Sequence, residues 1–166
     1  MEPNMLLVLF TGLIPLLTGF IYYHPKLAGN AWMKEAGVTE EQMKGSNMGK
    51  ILALAYVFGL LISMAMMSIV IHQFSVYSIL ADEPGMKDPN SEISIWVKEF
   101  MDQYGTKFRT FKHGAFHGAL TGLFFAWPLI GVNALFERKS AKYTAIHVGY
   151  WVITLALIGG VICQWM

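Results

Sequence analysis

The chain has 166 residues, of which 55% are hydrophobic and only 14% are charged, and its formal net charge is +1. This composition lies outside the range of ordinary soluble domains and is typical of proteins that cross a membrane several times. The near-neutral charge, with no run of Lys or Arg, excludes an electrostatic nucleic-acid surface.

Four apolar stretches divide the chain, and each is long enough to cross a hydrocarbon core of about 30 Å, which takes about 20 residues. Where a stretch contains a charged residue, that residue lies in its first turn. The stretches are Asn4–Tyr23, Met48–Leu80, Lys112–Phe136 and Lys142–Met166. The sequence therefore predicts an all-α fold, an integral membrane four-helix bundle, with residues 1–166 in a single membrane domain.

The first stretch contains Pro15 near its middle, which predicts a kink because proline lacks the backbone N–H and its ring clashes with the preceding turn. After the stretch come Tyr23 and Trp32, whose rings favour the membrane–water interface. Between them, Pro25 stops a helix and Gly29 allows a tight turn. An anchored turn is expected at this end of the first span.

The loop after the second stretch contains an amphipathic segment. Apolar side chains, Trp96 and Phe100 among them, recur there at helical spacing, and charged side chains occupy the other face. Ser91 supplies a helix start signal and Gly105 a stop signal. The pattern predicts an additional helix over residues 91–104 that lies on the membrane surface or docks on a partner.

The third stretch carries a glycine at every fourth position, at Gly114, Gly118 and Gly122. This spacing reduces one helix face to backbone, so that another helix can approach closely. The loop that follows, residues 137–141, is tight. The third and fourth spans are therefore expected to be antiparallel neighbours.

Five histidines carry most of the side-chain chemistry beyond packing: His24, His72, His113, His117 and His147. Four antiparallel spans would place His24 and His147 near one membrane face and the other three toward the opposite face. This layout permits two b-type haems, one held by His24 with His147 and one by His72 with His113 or His117. A di-haem electron-transfer subunit is therefore an alternative function.

The same histidines also have a structural interpretation, and this one is favoured. All but His117 lie within about two turns of a span end, where an imidazole reaches water or headgroups. His117 can satisfy itself by bonding to Ser63, Ser68 or Gln73 of another helix. His113 and His117 alone are two ligands short of a metal centre. Neither a cofactor nor a metal is expected on this interpretation.

No enzymatic motif stands out, because the chain lacks a nucleophile elbow, a zinc-binding HExxH and a phosphate-cradling glycine loop. The glycine face, the amphipathic helix and the scarcity of intramembrane charge favour a non-enzymatic accessory or structural subunit of a larger membrane complex. Its partners would be the lipid bilayer and other membrane subunits. A second alternative is a small-solute or lipid carrier, with Pro15 and Pro128 allowing movement.

Three segments have a recognisable pattern of motifs: Tyr23–Trp32, Asn133–Lys139 and Gly149 with Tyr150. In order and spacing they resemble the signatures of a bacterial membrane family, the domain-of-unknown-function 1761 family. The resemblance implies four spans in a bacterial inner membrane and no assigned activity.

These motif residues also have physical roles. Asn133 can bond to backbone across helices, and Glu137 with Arg138 can fix a tight turn or a subunit contact. Tyr23, Trp32, Asn133 and Glu137 are all expected at the same membrane side. Together these four form a candidate partner or ligand site.

The basic residues of the loops predict the orientation. The first and third loops carry seven Lys or Arg residues, against five in the second loop. Because cytoplasmic loops are enriched in Lys and Arg, the first and third loops are expected inside. Both termini are then outside.

Overall fold

The structure is a computed structural model that describes residues 4–166. These residues form helices joined by turns, with no strand among them. Four helical segments are long and apolar enough to cross a membrane, and we call them spans one to four: Met5–Tyr22, Met48–Val70, Phe111–Phe136 and Ala141–Trp165. The predicted all-α, four-span architecture is confirmed.

Span one consists of two helices, α1 (Met5–Thr11) and α2 (Ile14–Tyr22), which meet at a break next to Gly12. Pro15 lies in the first turn of α2, where its missing N–H breaks no helical hydrogen bond. Span two approaches at this break, because a Cβ atom on Gly59 would overlap the carbonyl of Gly12. The break in span one thus allows the backbones of spans one and two to approach each other closely.

The first loop contains two short helices, α3 (Asn30–Ala36) and α4 (Glu40–Lys44). The chain reaches α3 through a turn over residues 25–29, in which Leu27 has non-helical dihedrals of φ −113° and ψ −116°. Gly37 ends α3 in the left-handed region with φ 73°. These breaks keep the loop folded back on itself at the end of span one.

Span two is helix α5 (Met48–Val70), and it ends well before Leu80, where the sequence placed its end. Ile71 interrupts the helix with extended dihedrals of φ −108° and ψ 90°, and a short helix α6 (Gln73–Ile79) follows. Ile71 is completely buried. The apolar residues that follow belong largely to α6, which lines two surface cavities together with residues of the second loop, and Ile79 at its end remains 80% exposed.

The second loop contains the expected amphipathic helix, α7 (Glu92–Tyr104), which begins after the Ser91 cap and ends at Gly105. Its rings of Trp96 and Phe100 stack with centroids 5.5 Å apart. Trp96 remains half exposed. The helix therefore keeps an exposed apolar surface, to which Ile95 and Trp96 contribute.

Span three contains α8 (Phe111–Thr121), one wide π-helical turn (Gly122–Ala126) and α9 (Trp127–Phe136). The wide turn comes immediately before Pro128, which lies in the first turn of α9. Proline cannot donate to the preceding turn and clashes with its carbonyl, so a widened turn accommodates it.

Span four is the single helix α10 (Ala141–Trp165), and it lies at the centre of the bundle. In the apolar segment of span four 56% of the residues are buried, whereas the corresponding share in the other spans is 11–22%. It also bonds to span one, since the hydroxyls of Thr18 and Thr154 lie 2.8 Å apart. The fully buried side chains of the core come mainly from spans two and four: Met66, Val70, Ile71, Ile158, Ile162 and Cys163.

The glycine face of span three packs against span four. A Cβ atom on Gly114 would overlap the carbonyl of Gly159, and one on Gly118 would overlap the carbonyl of Leu155. A Cβ on Gly122 would lie 2.7 Å from the Cα of Val152. The face is thus covered by the chain's own last span and is not free for a partner.

Candidate functional site

Three of the five histidines meet at the end of the bundle that carries loop two. His72 follows the break at Ile71, which turns the chain away from the axis of span two. His113 and His117 lie four residues apart on α8, so they share one face. One ring nitrogen of each lies within 4.8 Å of those of the other two. We call these three residues the histidine cluster.

Two of these imidazoles are in direct contact, with 2.9 Å between Nε2 of His72 and Nε2 of His113. Such a contact requires that one nitrogen carries the proton and the other accepts it. The ring of His117 lies 5.0 Å from that of His72 and 4.5 Å from that of His113. No carboxylate of the described chain bonds to any of the three, so the cluster consists of imidazole groups alone.

Phe108 forms one wall of the histidine cluster, and its own backbone conformation is unusual. Its φ is 64°, in the left-handed region that bulky side chains rarely adopt. Its ring stacks on His113 with centroids 5.0 Å apart and planes 20° apart. The carbonyl of Phe108 accepts from the Cys163 thiol at 3.4 Å. Backbone strain of this kind is found preferentially at functional sites.

A cavity of about 270 Å³ adjoins His72 on the side of the surface helix. Gln73 fixes its geometry, because the side-chain amide donates to the carbonyls of Tyr104 and Lys107 at 3.2 and 2.9 Å. The amide of Gln73 is therefore not available to His117. The cavity opens at His72, the member of the histidine cluster that lines it. Lys107 also lines it, with Nζ 5.6 and 5.5 Å from the ring centroids of Tyr104 and Phe108.

The histidine cluster does not have the spacing of a haem site. Two axial ligands of one haem iron lie about 4 Å apart on opposite sides of the porphyrin. The 2.9 Å contact between His72 and His113 leaves no room for a macrocycle. In the other pair, Nδ1 of His24 accepts from the backbone N–H of Lys26, and Nδ1 of His147 lies 3.1 Å from the hydroxyl of Tyr23.

His147 belongs to a separate group of rings, at the opposite end of the bundle. Its Nδ1 lies 3.1 Å from the hydroxyl of Tyr23, and the ring of Tyr143 packs 4.4 Å from it. Burial raises the pKa of Tyr23 well above its usual value, so the hydroxyl stays protonated, and the tautomer of His147 decides whether this hydroxyl donates to Nδ1 or accepts from it. Nε2 of His147 is buried and has no hydrogen-bond partner among the described residues.

Tyr23 links this group to the motif after span one. Its ring lies 5.5 Å from Trp32, and a Cβ atom on Gly29 would overlap its carbonyl, so the turn after Pro25 requires glycine at that position. We call this assembly the aromatic cluster, and it consists of Tyr22, Tyr23, Trp32, Tyr143, His147 and Tyr150.

The other two residues of the expected four-residue site, Asn133 and Glu137, do not join the aromatic cluster. Asn133 and Glu137 are exposed at the end of α9, and within residues 4–166 their side chains make no hydrogen bond or ion pair. Arg138 ends the helix in the left-handed region, with φ 55°. These three residues therefore shape the turn into loop three.

Loops one and three are joined by contacts that the sequence did not indicate. The hydroxyl of Ser140 donates to Glu35, and Lys142 lies 3.6 Å from the same carboxylate. Lys139 donates to the carbonyl of Ala36 at 3.0 Å. The hydrogen bond from Ser140 and the charge of Lys142 hold the pKa of Glu35 below its usual value. No local pattern signals a contact between residues about a hundred positions apart.

Together these features define a multi-pass α-helical membrane protein with an aromatic cluster at one end of the bundle and a histidine cluster at the other. The model of a family described as a protein of unknown function (DUF1761) matches residues 6–163, and the chain belongs to that family. No curated protein and no solved structure matches it.

Proposed function

We propose that this protein is a non-enzymatic subunit that works within a larger assembly of a bacterial inner membrane. The observation that supports the proposal best is a groove of about 760 Å³ between spans three and four, near loop three. We call it the small-residue groove, and its lining includes Gly131, Ala134, Ala141, Ala145 and Gly149.

The lining suits a transmembrane helix of another subunit. Ala141 and Ala145 are four residues apart on α10 and line the groove with methyl groups, whereas at Gly149 an added Cβ would meet the hydroxyl of Tyr22 at 2.5 Å. Gly131 lies on the facing helix and has open space beside it, since the nearest atom to an added Cβ is 3.8 Å away. Small residues permit the close backbone approach that drives helix association in lipid.

The surface helix offers a second contact at the other end of the bundle. Ile95 and Trp96 remain 45% and 50% exposed, while Val97 is buried. An exposed apolar pair on an amphipathic helix can insert at the headgroup level or meet a neighbouring subunit. This supports a role in assembly without choosing the partner.

Orientation follows from the loop charges. We place loops one and three, with seven basic residues, in the cytoplasm and loop two outside. The small-residue groove then opens toward the cytoplasmic half of the bilayer, and the histidine cluster lies at the outer face.

Site-specific photo-crosslinking in native membranes tests the proposal. A photoreactive residue at Ala145 should capture a protein partner as a discrete larger band, whereas the same residue at lipid-facing Leu61 should not. Filling the groove with Gly131→Leu should abolish that band. Crosslinks to lipid alone from Ala145, together with a monomer in mild detergent, would reject an assembly role and favour the lipid-carrier alternative.

A further inference from the structure

We propose that His72, His113 and His117 bind a single divalent transition-metal ion of the zinc and copper class. From the sequence we considered only His113 and His117 for a metal centre, and two ligands are too few for a stable one. The break at Ile71 adds His72 from the end of span two. Three imidazoles from two spans make a ligand set of the kind found at open metal centres.

The spacing suits one shared ion. Two nitrogens bound to the same zinc at about 2.0–2.1 Å lie about 3.3 Å apart in tetrahedral geometry. Nε2 of His72 and Nε2 of His113 are already 2.9 Å apart. The nitrogen of His117 lies within 4.8 Å of both, and a side-chain rotation closes the difference, since no hydrogen bond restrains that ring among the described residues.

The donor types restrict the ion. Imidazole suits zinc, copper, nickel and ferrous iron, whereas calcium and magnesium require oxygen ligands, and none lies in the cluster. Binding replaces the hydrogen bond between His72 and His113, because the donor ring shifts its proton to Nδ1 and both Nε2 lone pairs face the ion.

Neutral ligands leave the full charge of the ion at the site, with at least one coordination position open. The cavity beside His72 provides space for a water molecule or a small anion there, and Lys107 at its edge favours an anion. Phe108, held in its left-handed conformation, covers the opposite face of His113. The surroundings therefore combine a fixed wall with an opening to loop two.

The test uses the full chain in nanodiscs, purified with an affinity tag that contains no histidine. Competition with a zinc indicator should give one Zn²⁺ per chain. His113→Ala and His117→Ala should each weaken binding by at least about 100-fold, since loss of an outer-sphere partner alone weakens sites by 10–100-fold. His24→Ala is the matched control, an exposed histidine at the other end of the bundle, and should bind as the wild type does.

A second measurement does not depend on how the variants fold. Cu²⁺ bound to the wild-type chain should show electron-spin couplings to three imidazole nitrogens. Coupling to fewer than three, no stoichiometric binding of Zn²⁺, or equal weakening by His24→Ala and His113→Ala would each overturn the proposal and leave an adventitious ion only.

Discussion

The backbone of Gly114 in span three lies directly against the backbone of Gly159 in span four. A Cβ atom on Gly114 would overlap the carbonyl of Gly159, and one on Gly159 would lie 2.5 Å from the carbonyl of Gly114. Neither residue can be enlarged unless the helices separate. This close backbone contact, which we call the seam, continues one helical turn further along span three, where Gly118 meets Leu155.

Gly118→Ala should therefore destabilise the bundle, although alanine is the better helix former. The added methyl group overlaps the carbonyl of Leu155, and overpacking of this kind costs about 1–3 kcal/mol. Gly131→Ala is the matched control, because it gains the same propensity with its nearest neighbour 3.8 Å away. Unfolding in mixed micelles, followed by circular dichroism, measures both. Equal stability of the two variants would contradict the close seam.

Tyr23→Phe should destabilise the end of the bundle near loop one. The substitution removes the hydrogen bond to Nδ1 of His147, whose other nitrogen already lacks a partner, and an unsatisfied buried group costs about 1–3 kcal/mol. Tyr22→Phe serves as the control, since its hydroxyl makes no hydrogen bond within the described chain. Thermal unfolding in one detergent should lower the midpoint for the first variant only.

Stability should fall at acidic pH partly because of Glu35. Its pKa is lowered in the folded state, so its contribution is complete above the unfolded pKa of about 4.5 and is lost as pH falls below that value. Between about pH 5 and 3, the wild type should lose more stability than Glu35→Gln. Thermal midpoints across that range measure the difference, which will be small because the group is partly exposed.

Glu137→Gln provides the control for this titration. Glu137 is exposed in the same region and makes no ion pair among residues 4–166. Its replacement should leave the wild-type pH profile unchanged. If Glu35→Gln shows the full wild-type slope as well, the contact with Ser140 contributes nothing to folding.

Cysteine labelling tests the orientation. Cys163 is completely buried and should not react in the folded protein, so single cysteines can be introduced without removing it. In intact cells, an impermeant maleimide should label Glu83→Cys in loop two and not Glu41→Cys in loop one. Labelling of Glu41→Cys alone would reverse the proposed orientation.

Much of the fold was predictable because it depends on local properties of the sequence. The length and apolar character of each stretch are sufficient to predict a span, whatever its neighbours are. The Ser91 cap, the helical spacing of Trp96 and Phe100 and the stop at Gly105 likewise predict α7. Span two shows the limit of this argument, since the apolar residues after Ile71 gave no sign that they would form a separate short helix.

The sites depended on contacts between distant residues. The positions of the histidines along the predicted spans placed His72 toward the same membrane face as His113 and His117. The 2.9 Å contact between His72 and His113 also needs the break at Ile71, which hydropathy does not indicate. Tyr23 makes no hydrogen bond or ring contact with Asn133 or Glu137, both of which are exposed, and their expected role in a common partner site stays a prediction.

The four spans, the surface helix and the family could all be predicted from the amino-acid sequence, because apolar length, helical spacing and motif order are features of the linear chain. Three contacts emerged from the folded arrangement alone: span four covers the glycines, Tyr23 bonds to His147, and a third histidine joins the other two. Those contacts are set by the packing of helices against one another, where a single break or a missing Cβ atom changes which side chains meet.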